Sequence, residues 1–285
     1  MTPTINHDIA IKTQQNHPSA TLNAWLQQDS MQGALERVME SVRSNPNDIR
    51  ERWLLFQMLC LMGDWDRALK QLQTCVQIDP EREQTAQVIR GLIRSEAQRA
   101  EVFAGKSTPG YIMDQPPEWI ALLLEALHGA SENRLDQADA ARELALSQAV
   151  DSPGDVDGMP FGWISDSDTR LGPVCELIVA GMYRWCPFSD LSSLRLHAPS
   201  GLLDLLWVRA DCTLHDGSVL KAYIPARYPG SEHGEDAIRL SRETVWQDEG
   251  KTGIIALGQK TWMTDGGDLS LLDLRELTFQ IVASA

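Results

Sequence analysis

The chain has 285 residues, 43% of them apolar, and carries a net charge of −15, so it is long and apolar enough for two ordinary cores and is not a disordered acidic tail. Residues 1–150 hold 14 basic and 20 acidic side chains and the remainder 11 and 20, so each half would repel a phosphate backbone or an anionic bilayer, which excludes nucleic acid and membrane as expected partners. Five scattered cysteines (Cys60, Cys75, Cys175, Cys186 and Cys212) lack the paired short spacing of a zinc or redox site. With no secretory leader pattern and no apolar span of about 18 residues, the expectation is a cytoplasmic chain with reduced thiols and no cofactor.

Residues 1–20, rich in Thr, Gln, Asn and His, are expected as a flexible lead-in. From Leu22 to about Gly105 the apolar positions keep helical spacing and predict four helices. Ala34-Leu35 recurs as Ala68-Leu69 and Pro46 as Pro80, a common shift of 34 residues, which is the tetratricopeptide period. In the second copy Leu55, Leu59, Gly63, Ala68, Leu72 and Pro80 fall where such a unit wants its core, turn, small contact and stop. Phe56 stands where a small residue is usual. A helix pair of this kind buries its apolar face only by stacking on neighbours, and the resulting scaffold serves mainly to hold other polypeptides. Residues 105–117, with three prolines and two glycines, read as a loop; 119–127 and 135–149 form a further helical pair that would complete the array as a degenerate third repeat.

Residues 151–160 concentrate turn formers and carboxylates and are expected to link a tetratricopeptide-like helical domain (21–150) to a second domain (161–285). There the period changes to that of strands. Residues 177–180 and 182–186 flank Gly181, 205–214 and 219–224 flank His215-Asp216-Gly217-Ser218, and 253–263 and 271–279 enclose Asp265-Gly266-Gly267-Asp268, all hairpin patterns. One helix is predicted at about 235–244. Successive antiparallel strands need no crossover helices, so the expected class is a two-domain α + (α+β) fold whose second part is a mostly antiparallel, curved β domain with one or two helices.

Two stretches could carry chemistry. Trp163-Ile164-Ser165-Asp166-Ser167-Asp168-Thr169-Arg170 offers two carboxylates, hydroxyls and a cation, but supplies only the opening Asp-x-Asp of a calcium loop. It reads as a turn whose aspartates cap amides and pair with Arg170. Tyr228-Pro229-Gly230-Ser231-Glu232-His233-Gly234 has its second glycine one residue too late for a nucleophile elbow, and Ser231 reads as a helix start. No phosphate loop, dinucleotide fingerprint or zinc-protease helix is present. Nine tryptophans are mostly core, with one or two suited to line a groove between the halves. Trp163, Asp166, Asp168, Arg170, Arg227, Tyr228 and Glu232 are therefore the candidates for partner binding or for the domain junction. No residue is assigned to catalysis, cofactor or metal. The rival reading is a hydrolase or metal site formed where the Asp166/Asp168/Arg170 and Arg227/Glu232 segments converge.

Several long strings, in order, carry a family resemblance: Gly162-Trp163-Ile164-Ser165-Asp166-Ser167-Asp168-Thr169-Arg170-Leu171-Gly172-Pro173, Tyr183-Arg184-Trp185-Cys186-Pro187-Phe188, Asp204-Leu205-Leu206-Trp207, Ile224-Pro225-Ala226-Arg227-Tyr228-Pro229-Gly230-Ser231-Glu232, Gly258-Gln259 and Leu271-Leu272-Asp273-Leu274-Arg275-Glu276. Arg52-Trp53-Leu54-Leu55-Phe56-Gln57, Gly63-Asp64-Trp65 and Ala100-Glu101-Val102-Phe103-Ala104-Gly105 extend it into the first half. From about Ala34 to Phe279 the chain resembles the ImpE/TagJ accessory proteins of bacterial type VI secretion. The resemblance implies a cytoplasmic, non-enzymatic adaptor that binds the small contractile-sheath subunit through a helix near that subunit's N-terminus. In some systems it also implies a link between the sheath and the ClpV ATPase. It hands over no residue-level site.

Overall fold

The computed structural model describes residues 30–281; the expected lead-in at 1–20 lies outside them. Among the described residues six helices come first: α1 (Met31–Ser44), α2 (Ile49–Leu61), α3 (Trp65–Ile78), α4 (Glu83–Phe103), α5 (Glu118–Ser131) and α6 (Leu135–Gln148). Side chains set several starts. Ser30 Oγ accepts from the Gly33 amide at 3.1 Å, Asp48 from Arg50 at 2.9 Å and Asp64 from Arg67 at 3.3 Å, each satisfying a donor that the first turn leaves without an intrahelical partner. α2 packs against α1 and α3, and residues 54–61 are buried without a break, as expected of a helix surrounded on all faces. Phe56 is fully buried; its ring lies 5.0 Å from that of Trp53, over which the Arg82 guanidinium sits at 4.9 Å. An aromatic pair thus fills the position where a small residue was expected.

The chain then turns to strands: β1 (Gly110–Tyr111), β2 (Gly154–Val156), β3 (Met159–Phe161), β4 (Ile164–Asp166), β5 (Val174–Val179), β6 (Met182–Pro187), β7 (Leu191–Leu196), β8 (Trp207–Leu214) and β9 (Val219–Pro225). A one-turn helix α7 (Asp236–Arg239) precedes β10 (Thr244–Glu249), β11 (Gly253–Gly258), β12 (Thr261–Thr264), β13 (Gly267–Ser270) and β14 (Glu276–Phe279). Nine strands make one sheet in the order β1-β6-β5-β9-β8-β7-β14-β2-β3, antiparallel throughout except for the β1–β6 pair. β10 and β11 form a separate ribbon, and β13-β12-β4 a small third sheet.

The first two expected hairpins are present, with Val179 opposite Met182 and Thr213 opposite Val219. The third differs. Gly258, at φ +92°, ends β11, so the run 253–263 splits: β11 pairs with β10, β12 pairs with β13 across the glycine turn, and β14 enters the main sheet between β7 and β2. The helix expected at 235–244 stops at Arg239, because Ser241 takes a left-handed conformation at φ +53° and Thr244-Val245-Trp246 is a β-forming run. The 105–117 loop contributes β1, and the 151–160 stretch contributes β2.

β5 and β6 are buried on both faces and hence nearly continuous in apolar character. One core joins the helices to the sheet, bringing Val174, Ile178, Trp185 and Trp207 against residues of α1 to α5. A second core lies on the opposite face, where Cys175, Leu177 and Cys186 meet residues of β2, β7, β8 and β14, and Phe188 stands edge-on to Trp262 at 5.1 Å. Strands from both ends of the sheet share this second core, so the sheet curls around it. Helices and sheet meet backbone to backbone at Gly91 of α4 and Gly181 of the β5–β6 turn, where a Cβ on Gly91 would lie 2.9 Å from the Gly181 Cα.

Candidate functional site

β5 alternates, so Glu176 shares its face with Val174 and Ile178 and points at the helices instead of at the second core. Arg99 of α4 grips it with two donors, Nε to Oε1 at 2.6 Å and Nη2 to Oε2 at 2.8 Å. Tyr183 donates to Oε1 at 2.6 Å and receives the Trp185 indole N–H at 2.6 Å. Lys260 bridges onward, with Nζ 2.8 Å from Glu176 Oε2 and 2.7 Å from Asp166 Oδ2, and 4.5 Å from the Tyr228 ring centre. The Tyr228 hydroxyl donates to Asp166 Oδ1 at 2.8 Å and accepts from the Thr261 amide at 3.0 Å. Two buried cations therefore face two buried carboxylates in one chain running from α4 through β5 to β4.

Burial would lift both carboxyls. At Glu176 the Arg99 guanidinium, then the Lys260 ammonium, overcomes burial and holds the group far below its usual range. At Asp166 burial prevails over Lys260, reinforced by the neighbouring Asp168, and the carboxyl rises to about 6. Lys260 itself is held above its usual value despite burial, by Asp166 and then Glu176. Burial, followed by the Asp166 carboxylate, pushes the Tyr228 hydroxyl well up.

The seven residues singled out from the sequence fall into separate places. Asp166 and Tyr228 belong to the network. Asp168 sits beside it, accepting Arg170 Nε at 2.8 Å and the Ala256 amide at 3.1 Å, while its own amide caps Asp166 Oδ1 at 2.9 Å. Arg170 also lies over the Phe103 ring at 4.7 Å. Arg227 donates instead to the carbonyl oxygens of Leu61 in α2 and Arg239 in α7, each at 2.8 Å. Glu232 packs against the α2–α3 turn, where Gly63 has φ +72° and a Cβ would stand 2.8 Å from the Glu232 Cβ. Arg227, Tyr228 and Glu232 line a cleft of about 50 Å³ with Trp65, Glu96 and Arg99. Trp163 stands apart, 37% exposed.

Both oxygens of Asp166, Asp168 and Glu176 are already hydrogen-bonded within the chain, so none is left over for a ligand. Among the described residues no group of three or more His, Cys, Asp or Glu side chains is placed to hold a metal ion. Arg99, Glu176 and Lys260 escaped the sequence reading. Their signal was an acid interrupting the apolar run 174–179, which requires a buried cation somewhere in the fold. A second joint also escaped: Asp139 of α6 accepts the amides of Lys251 at 2.9 Å and Thr252 at 3.0 Å in the β10–β11 turn, with the buried Arg142 3.0 Å away. The Lys251 amide bond leads in holding the Asp139 carboxyl down at about 2.

An open groove of about 720 Å³ lies between the C-terminal ends of α4 and α5 and the β10–β11 ribbon, with Phe103, Lys106, Leu127, Ala130, Arg170 and Ile255 among its lining. It is large enough for several side chains of a partner.

The family model described as ImpE protein matches residues 158–278. The type VI secretion system accessory component TagJ of Pseudomonas aeruginosa is 46% identical over 248 residues, covering 87% of this chain and 86% of its own. A crystal structure of protein VPA1032 from Vibrio parahaemolyticus superposes with a TM-score of 0.84 at 24% identity, over 92% of this chain and 98% of that one, which shows a shared fold.

Proposed function

Because the chain belongs to the ImpE/TagJ family of type VI secretion accessory proteins, we propose that it is a non-enzymatic adaptor of that system, binding the N-terminal helix of the small contractile-sheath subunit. The observation that carries this reading is the identity to TagJ across most of both chains. In it, residues 21–150 act as a tetratricopeptide-like helical domain with α5 and α6 as the third pair, joined through 151–160 to the α+β domain at 161–285. The protein works in the cytoplasm and, with the sheath subunit bound, helps link the sheath to the ClpV ATPase. Asp166, Asp168, Arg170, Arg227, Tyr228 and Glu232 serve the junction that holds the binding surface in shape, and Trp163 lies on the exposed side of that junction. Hydrolase or metal chemistry at these residues draws no support, since the carboxylates of Asp166 and Asp168 are taken up by Lys260, Tyr228, Arg170 and backbone amides.

The test is a fluorescence titration of the full chain with a synthetic peptide of the small sheath subunit's N-terminal helix. Saturable binding that disappears when the apolar residues at i, i+3, i+4 and i+7 of the peptide become serine is expected. Binding indifferent to those anchors, or none at all, overturns the reading.

A further inference from the structure

We infer that the partner helix seats in the groove between the C-terminal ends of α4 and α5 and the β10–β11 ribbon, and that it brings an acidic side chain to Lys106. This rests on the adaptor reading above and specifies its surface. Phe103, Leu127, Ala130 and Ile255 give the groove an apolar lining. Side chains alternate along the ribbon, so Ile255 shares a face with Leu257; Gln247 stands opposite Ile255 and Val245, 38% exposed, opposite Leu257. The apolar strip thus continues beyond the groove along the outer ribbon.

The wall is held in place before any partner arrives. Arg170 is fixed by Asp168 and covers Phe103, and Asp139 clamps the ribbon's turn to α6. Such preorganisation lowers the ordering cost of association. The edge of β11 away from β10 is occupied: the Ile254 amide donates to Thr169 Oγ1 and the Ala256 amide to Asp168 Oδ2. It therefore offers no backbone donors to an extended strand there, and what the groove presents is side-chain surface, which suits an amphipathic helix.

Charge specifies the rest. Among the groove's charged side chains, Glu132 pairs with Arg134, Arg170 with Asp168, and Glu249 with Arg142, while the His128 ring lies 3.7 Å from Glu132. Lys106 is exposed and has no ion pair or hydrogen bond from its side chain among the described residues. A carboxylate on the helix, one turn from its apolar anchors, completes the set.

The labelled sheath-subunit peptide is titrated into the full chain and into the Ala130→Glu and Lys106→Glu variants, with thermal melts alongside. Ala130→Glu, which places a charge on the apolar wall, is expected to weaken binding by about tenfold or more. Lys106→Glu is expected to weaken it by roughly three- to tenfold, with recovery when the peptide's acidic residue is changed to lysine. Lys106 lies in an exposed loop, so its variant decides the matter even if Ala130→Glu lowers the melting temperature. Wild-type binding with both variants unchanged overturns the groove and leaves the adaptor reading standing. No binding by the wild type overturns the adaptor reading, and the groove with it.

Discussion

Gly91 of α4 and Gly181 of the β5–β6 turn meet backbone to backbone: a Cβ on Gly181 would come within 3.1 Å of the Gly91 Cα, and one on Gly91 within 2.9 Å of the Gly181 Cα. Glycine inside a helix ordinarily costs about 1 kcal/mol relative to alanine. Here the contact reverses the sign, because the methyl would press on backbone that cannot swing aside. Gly91→Ala is expected to destabilise the chain by about 1–3 kcal/mol in urea denaturation. A stabilised variant would mean that helix and turn do not touch.

The same turn contains the opposite case. Ala180 is exposed and takes φ +52°, a left-handed conformation that suits asparagine better than alanine. Ala180→Asn should therefore raise stability by about 0.5–1 kcal/mol, seen as a melting temperature higher by roughly 1–4 °C. No change in melting would argue that the turn relaxes out of this conformation.

Removing the charge of Glu176 leaves buried Arg99 with only the more distant, partly exposed Glu96 at 3.5 Å, and buried Lys260 with only Asp166. Glu176→Gln is expected to cost about 3–5 kcal/mol in chemical denaturation. The double variant Arg99→Met/Glu176→Leu retains the Lys260–Asp166 pair, and its loss should be smaller than the sum of the single losses. Additive losses would show that the groups are not coupled.

Two aspartates give pH dependences of opposite sign. The Asp139 carboxyl is held at about 2 in the fold, below its ordinary value of 3.8, so its contribution is present above 3.8 and lost as pH falls toward 2. The advantage of wild type over Asp139→Asn should shrink across that window. Asp166 is raised to about 6, so the folded chain binds its proton first and that group's contribution fades as pH rises from 3.8 through 6. Wild type should accordingly gain on Asp166→Asn as pH falls from 6 toward 3.8. Parallel curves for either pair of proteins, from denaturation at stepped pH, would refute the corresponding assignment.

All five cysteines are buried, and burial pushes the Cys75 thiol to about 11 and the Cys212 thiol to about 12. Thiolate is the reactive species, so a disulfide reagent should label the native chain slowly and all five sites promptly in denaturant. Rapid native labelling would place at least one thiol at the surface.

Local chemistry was legible where it acts over a few residues. Gly181 between two β-forming runs announced its hairpin, and Trp119 together with the apolar positions that follow it announced α5. Joints between distant segments were not. Glu176 and Lys260 lie far apart in the chain and meet only because β5 turns Glu176 toward the helices, which depends on the strand's parity and neighbours. Asp166 and Tyr228 were singled out for their chemical types, but their common role as partners of Lys260 could not be read from spacing. The misplaced third hairpin has the same origin: once Gly258 interrupts the run, tertiary pairing decides where β14 goes.

The parallel pairing of β1 with β6 means that the helical half lends a strand to the sheet, reinforced by Arg184 donating to the Tyr111 carbonyl oxygen. Severing the chain between residues 150 and 161 and keeping only the C-terminal piece would strip this cover from β6. The bared strand would then present unpaired amides and carbonyls to any other chain, and such a fragment is expected to self-associate along that edge.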